Sequence, residues 1–137
     1  MRRKHILVTD DERNILRTLE FILEAANYRV SLADRGQKAL EIILNNRDSD
    51  SHVDLLITDL QMPDMSGLTL IQELNKMGID IPKMVITGHG SKDVVIHLMQ
   101  NRCNDYMEKP IDDEELLKRV ELLIQTGEKD QHKQQEI

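Results

Sequence analysis

Five polar side chains stand directly after short aliphatic runs: three carboxylates, a hydroxyl and an ammonium group. They are Asp10, Asp11, Asp59, Thr87 and Lys109. Neighbouring carboxylates repel one another unless a cation lies among them, and their hard oxygen atoms suit Mg²⁺, which pairs well with phosphate. An ammonium and a hydroxyl suit the oxygens of a transferring phosphoryl group, and a carboxylate can be the nucleophile. These residue types therefore favour magnesium-assisted phosphoryl chemistry.

The spacing of these residues predicts that they meet at one edge of a β-sheet. From Asp11 to the last of the five, the intervals between neighbours in the sequence are 48, 28 and 22 residues. These intervals match two, one and one strand–helix units. In an open α/β sheet, ligands bind outside the carboxyl ends of the strands, so we expect the five side chains there. The strand-like runs are 6–9, 29–33, 53–58, 83–87 and 105–107.

Apolar residues recur at helical spacing in the stretches between and after these strands. Ser91 and Asp112 are candidate N-caps, and Glu115 would complete a capping box with Asp112. The alternation predicts an α/β fold: a doubly wound, five-stranded parallel sheet in a three-layer sandwich. We place the domain at residues 4–125 and interpret residues 126–137 as a polar tail or linker.

Composition disfavours several other classes of protein. The 137 residues carry 18 Lys+Arg against 25 Asp+Glu, and the formal net charge of −7 disfavours binding to nucleic acid. No apolar run approaches the roughly 20 residues of a membrane-spanning helix, and no signal-peptide pattern opens the chain. The lone Cys103 excludes an internal disulfide and fits a reducing compartment. We expect one cytoplasmic domain without direct contact to nucleic acid or membrane.

Four short motifs, in order, resemble the response-regulator receiver family of bacterial two-component systems. They are Asp10-Asp11, the run DLQMPDMSG that begins at Asp59, Thr87-Gly88 and Lys109-Pro110. The resemblance implies a flavodoxin-like (βα)5 domain that accepts a phosphoryl group onto Asp59 and requires Mg²⁺. The donor would be the phosphohistidine of a histidine kinase or phosphotransfer protein, and the target a downstream protein or a fused output domain. Such a domain is a phosphorylation-dependent switch whose catalysis is limited to its own phosphorylation and dephosphorylation.

The resemblance also implies which residues bind the metal. Asp11, Asp59 and the backbone carbonyl of Gln61 would bind Mg²⁺ directly. Asp10 would act mainly through a metal-bound water.

Further positions are implied to contact the phosphoryl group or respond to it. Lys109 would bind phosphoryl oxygens, Thr87 would turn inward, and Tyr106 would follow as an aromatic switch. Gln61 and His89 would flank the phosphoryl group, so we expect them to tune its lifetime. The alternatives are a packing role for Tyr106, with its hydroxyl at the surface, and an inert surface imidazole for His89. The family's Lys-Pro bond is cis, so we expect Lys109-Pro110 to be cis.

Two rival functions use similar parts. A haloacid-dehalogenase-like, Mg²⁺-dependent phosphohydrolase also has an aspartate nucleophile, but it needs a second carboxylate where this chain has Gln61. A flavodoxin-like cofactor binder needs a hydroxyl- and glycine-rich cradle, whereas Asp10, Asp11 and Glu12 would repel a phosphate. The phosphohydrolase is the alternative that we retain.

The turn before the fifth strand departs from the family pattern. Arg102, Cys103 and Asn104 replace the usual small residues, and Arg102 stands where glycine would supply a positive φ. We expect this turn to be rebuilt locally. The histidines show no metal-ligand spacing, and we expect most of them at the surface, with His89 as the exception.

Overall fold

A computed structural model describes residues 2–88 and 90–135, with side chains up to residue 128. In this part of the chain, five strands alternate with five helices. The strands are β1 (His5–Thr9), β2 (Arg29–Ala33), β3 (Leu55–Thr58), β4 (Lys83–Thr87) and β5 (Asp105–Glu108). The helices are α1 (Arg13–Ala25), α2 (Gly36–Asn45), α3 (Gly67–Lys76), α4 (Lys92–Gln100) and α5 (Asp113–Gln135).

The five strands form one parallel sheet in the order β2-β1-β3-β4-β5, which confirms the predicted doubly wound fold. The chain starts at β1, adds β2 on one side and then returns to add β3 on the other. This reversal opens a crevice between the carboxyl ends of β1 and β3. Thr9 pairs with Thr58 in register, so the residues that follow them emerge side by side.

Helices cover both faces of the sheet. Strands β1, β3 and β4 are buried along their whole length, as their nearly continuous aliphatic runs require. One face packs against α1 and α5, and the other packs against α2, α3 and α4. The buried clusters contain no aromatic residue among those described, and Phe21 is 77% exposed. The core is therefore aliphatic.

Most predicted boundaries agree with the structure to within two residues. Ser91 caps α4 through a bond from the Val94 amide at 3.2 Å, and Asp112 accepts from the Glu114 amide at 3.0 Å. The carboxylate of Glu115 faces Arg119, 2.9 Å from Nε, instead of completing the capping box. Helix α5 continues through the stretch interpreted as a tail, and the domain boundary near residue 125 stays a prediction.

The turn after α4 is not rebuilt, so that expectation was wrong. Arg102 itself adopts φ +65°, and the Cys103 amide donates to the Leu98 carbonyl at 3.0 Å. Asn27 and Gly78 end α1 and α3 with φ of +71° and +70°. The same left-handed helix ending is therefore used three times, once with an arginine in it.

A polar network lies at the edge where the strands begin. His5 is buried, unlike the surface position expected for most of the histidines: its Nδ1 lies 2.6 Å from the Ser51 carbonyl oxygen and its Nε2 lies 2.7 Å from Ser31 Oγ. Burial lowers the pKa of His5. Asp54 accepts from the His5 amide at 2.7 Å and pairs with Arg2 at 2.9 Å. Residues 53 and 54 therefore lie outside β3, which begins at Leu55 and not at residue 53 as predicted.

The first residue of β4 places a charged side chain in the interior. Lys83 is 1% exposed, and its ammonium donates to the carbonyl oxygen of Ile81 at 2.9 Å. Burial lowers the pKa of Lys83, because the charged form loses hydration. Lys83 therefore opposes folding at neutral pH.

We predict that Lys83→Met raises the free energy of unfolding by about 1–2 kcal/mol at pH 7, because the buried charge is removed. The folded-state pKa lies below the unfolded one, so the cost is complete below the folded pKa and is lost progressively as pH rises from the folded to the unfolded pKa. In urea unfolding experiments, Lys83→Met should raise the free energy of unfolding less at pH 10 than at pH 7. The exposed Lys118→Met is the control, and an equal gain there would contradict this account.

None of the helices in residues 2–88 and 90–135 combines the length and apolar character that spanning a bilayer requires.

Candidate functional site

The carboxyl ends of β1 and β3 bring the predicted acidic residues together. The Asp59 amide donates to the Thr9 carbonyl at 2.9 Å, and the Asp10 amide donates to the Ala33 carbonyl at 3.1 Å. These bonds extend the sheet pairing one residue past each strand. Asp10 and Asp59 are buried at this edge, whereas Asp11 is exposed.

Four acidic side chains form a cluster at this crevice. One carboxylate oxygen from each of Asp10, Asp11, Glu12 and Asp59 lies within 4.8 Å of the others. Hard oxygen donors at such distances suit a divalent cation such as Mg²⁺. The sequence reasoning missed Glu12 as a member, although it directly follows the two predicted aspartates.

Lys109 provides the positive charge of the cluster. Its Nζ lies 3.0 Å from Asp10 Oδ2, 3.3 Å from Asp59 Oδ2 and 3.6 Å from Glu12 Oε1. Burial by itself would lower the pKa of Lys109, but the bond to Asp10 and the charges of Asp10 and Asp59 raise it overall. Burial raises the pKa of Asp10. The Lys109-Pro110 bond is cis, as predicted.

The two carboxylate oxygens of Asp59 have different surroundings. Oδ1 accepts from the Leu60 amide at 2.7 Å, while Oδ2 faces Lys109. The Gly67 amide donates to the Leu60 carbonyl at 2.8 Å and closes the base of the β3–α3 loop. Gln61 lies exposed in this loop, two residues after Asp59. Asp59 is thus fixed by its backbone neighbours, with one oxygen directed at the ammonium.

Thr87 lies farther along the same edge, whereas Tyr106 lies inside β5, paired with Val85 of β4. Thr87 is buried at the end of β4, and its carbonyl accepts from the Lys109 amide at 3.0 Å. The Tyr106 hydroxyl donates to Glu108 Oε1 at 3.3 Å in an exposed position. It lies over Gly90, where an added Cβ would come within 1.7 Å of it. This pose agrees with a packing role and with the outward state of a switch. His89 lies outside the described residues.

The fold and its acidic edge together define a class: a (βα)5 sandwich with a candidate cation site at its topological switch point. The family model for the response regulator receiver domain matches residues 6–121. The chain belongs to this family of two-component systems. Domains of this family are phosphorylation-dependent switches, and response regulators interact with histidine kinases and output partners.

Individual relatives agree with this assignment. The transcriptional regulatory protein FixJ of Rhizobium meliloti is 32% identical over 114 residues, which are 83% of this chain and 53% of FixJ. The response regulator SaeR of Staphylococcus aureus is 26% identical over 93% of this chain and 54% of its own length. A CheY-like receiver domain structure from Methanospirillum hungatei aligns with a TM-score of 0.84 and 26% identity, covering 93% of this chain and 98% of its own.

This chain spans about half the length of FixJ and SaeR, but nearly all of the receiver domain structure. These comparisons do not support the phosphohydrolase alternative.

Proposed function

We propose that this receiver domain takes a phosphoryl group onto Asp59 from the phosphohistidine of a histidine kinase or phosphotransfer protein, with Mg²⁺ required. The observation that carries the proposal is the placement of Asp59 inside the acidic cluster, with its Oδ2 3.3 Å from Lys109 Nζ. A buried carboxylate that faces an ammonium is held in one orientation, as a nucleophile in phosphoryl transfer must be.

The acidic cluster supports the metal requirement. Three of its four carboxylates lie within 4 Å of the single Lys109 ammonium, so a divalent cation would remove repulsion that Lys109 leaves uncompensated. Asp11, Asp59 and the Gln61 carbonyl would hold the ion directly, and Asp10 through a water. Bound Mg²⁺ would supply charge neutralisation for the oxygens of the incoming phosphoryl group.

The transfer itself exchanges one bond for another. An Asp59 oxygen forms the new P–O bond as the P–N bond to the donor imidazole breaks, and the electron pair returns to the imidazole nitrogen. Asp59 Oδ2 is the oxygen that faces Lys109, so the ammonium needs little movement to contact the phosphoryl oxygens. The Thr87 hydroxyl would donate to another of those oxygens after turning inward.

The output is a shift between two conformations. A phosphoryl group contributes only the difference between its contacts in the active and inactive arrangements. Thr87 and Tyr106 would carry this change to a downstream protein or a fused output domain, and Gln61 and His89 would set its lifetime. Gly90 leaves the space that the outward pose of Tyr106 occupies. The expected cytoplasmic location stays a prediction.

Intact mass after incubation with acetyl phosphate tests the proposal. We expect a gain of about 80 Da, one phosphoryl group, that depends on Mg²⁺ and is absent in Asp59→Asn. Asp48→Asn, an exposed aspartate away from the cluster, is the control and should be labelled like the parent. Labelling of Asp59→Asn at the parental level, or no labelling of a folded parent that binds Mg²⁺, would refute the proposal.

A further inference from the structure

The loop between β3 and α3 is bound to the start of α2 by a single carboxylate. Asp64 Oδ1 accepts from the Gly36 amide at 3.0 Å, and Oδ2 accepts from the Gln37 amide at 2.8 Å. Arg35, at the N-cap position of α2, makes no side-chain bond to the helix. Helix α2 therefore receives its cap from Asp64, a residue of another loop.

Close packing accompanies these bonds. The Met65 side chain lies so near Gly36 that an added Cβ would be 2.3 Å from Met65 Cγ, so the approach depends on the glycine. Although burial would raise the pKa of Asp64, bonds from the amides of Gln37 and Gly36 hold it below its ordinary value. Asp64 is therefore charged at neutral pH, in the favourable field of a helix N-terminus.

The segment held by Asp64 connects two parts of the candidate site. Its base carries Asp59 and Gln61, and it is closed by the bond from the Gly67 amide to Leu60. On the other side, α2 begins three residues after Ala33, whose carbonyl accepts from the Asp10 amide. Asp64 thus joins the loop that follows β3 to the segment that is anchored beside Asp10.

We infer that Asp64 is a positioning residue: by binding the loop tip to α2, it holds the Gln61 carbonyl at the acidic cluster and raises the affinity for Mg²⁺. This inference rests on the proposed function. Without Asp64, the loop samples more conformations in the metal-free chain, and that lost order must be regained on binding. The carboxylate itself contacts neither metal nor phosphoryl group.

Titration with Mg²⁺, followed by NMR amide shifts, tests this role. We expect Asp64→Ala to raise the Mg²⁺ dissociation constant about fivefold, because a lost cap typically shifts a folding equilibrium by that factor and Mg²⁺ binding would have to restore the order of the loop. Asp64→Asn keeps one carbonyl oxygen, so its Mg²⁺ dissociation constant should lie between those of the parent and Asp64→Ala. Asp54→Ala is the matched control, because it removes an acceptor of a backbone amide at the opposite edge of the sheet. Its Mg²⁺ affinity should equal that of the parent.

Two further measurements separate positioning from general destabilisation. The labelling rate of Asp64→Ala should fall at low Mg²⁺ but come within about twofold of the parent at saturating Mg²⁺, because the transfer groups are intact. In the metal-free chain, the Gly36 and Gln37 amides should exchange with solvent about fivefold or more faster than in the parent.

The possible outcomes distinguish this inference from the proposed function. If the parent binds Mg²⁺ and Asp64→Ala binds it equally well, the positioning role is overturned while the proposed function stands. The role is also overturned if Asp54→Ala loses as much affinity as Asp64→Ala. If the parent itself binds no Mg²⁺, both proposals fail together.

Discussion

Phosphorylation of Asp59 by acetyl phosphate should be about 100- to 1000-fold slower in Lys109→Met than in the parent. The Lys109 ammonium lies 3.3 Å from Asp59 Oδ2, in the position from which it can meet charge developing on the phosphoryl oxygens. Removing one donor of this kind from an enclosed site typically costs that factor in rate. Methionine keeps an unbranched apolar stem of about the same length and lacks only the terminal ammonium, so the lost charge is the main change. Time courses of intact mass at saturating Mg²⁺ give the two rates.

The same variant should also be less stable without metal. Asp10 and Asp59 have side chains 4% and 7% exposed, and Lys109→Met leaves their charges facing each other. Breaking a buried ion pair from one side costs about 3 kcal/mol, and added Mg²⁺ should restore more stability in the variant than in the parent. Lys118→Met is again the exposed control. A Lys109→Met chain labelled at the parental rate would contradict the role given to the ammonium.

Gly67→Ala should destabilise the folded chain by about 3 kcal/mol, because overpacking against backbone has no cheap relaxation. An added Cβ would lie 2.2 Å from the carbonyl oxygen of Asp59 and 3.1 Å from its carbonyl carbon. Both are backbone atoms of the residue proposed to accept the phosphoryl group, so the loop itself has to move. We therefore also expect slower labelling at saturating Mg²⁺. Urea unfolding measures the first effect and intact mass the second.

Gly88→Ala is the control for this substitution. A Cβ at Gly88 would meet nothing within 4 Å, and its φ is outside the left-handed region. The unfolding free energy of Gly88→Ala should stay within about 0.5 kcal/mol of the parent. Equal stability of the two alanine variants would show that the loop moves away from Asp59 without cost.

The sheet and the site edge were predictable because they depend on patterns local to each strand–helix unit. A parallel strand buried on both faces must be aliphatic, and a polar residue directly after it marks the carboxyl edge. Asp10 and Asp59 come together for this reason, although they are 49 positions apart in the sequence. The order of the strands then follows from short, right-handed connections.

Other features were not predictable because they depend on contacts between distant segments. Nothing in the local sequence marks Lys83 or His5 as buried. Lys83 is enclosed by the folded chain, and the ring of His5 is bound by Ser31 and Ser51 from two other segments. The cap on α2 comes from Asp64, which is 28 residues beyond Gly36, so no local sequence motif predicts it. At position 102 the sequence has arginine where glycine is usual, which predicted a different turn. The backbone nevertheless adopts the positive φ that glycine would favour.

The number of residues in helix α5 determines the direction in which a segment attached to its end would face. The helix continues to Gln135, past the ion pair between Lys4 and Glu128 at the edge where the strands begin. Each helical residue turns by about 100° and advances about 1.5 Å. One residue inserted after Glu128 would therefore rotate whatever is attached to the helix by more than a quarter turn, whereas seven would nearly restore its facing. In this part of α5, the number of residues therefore sets the rotation of an attached segment about the helix axis.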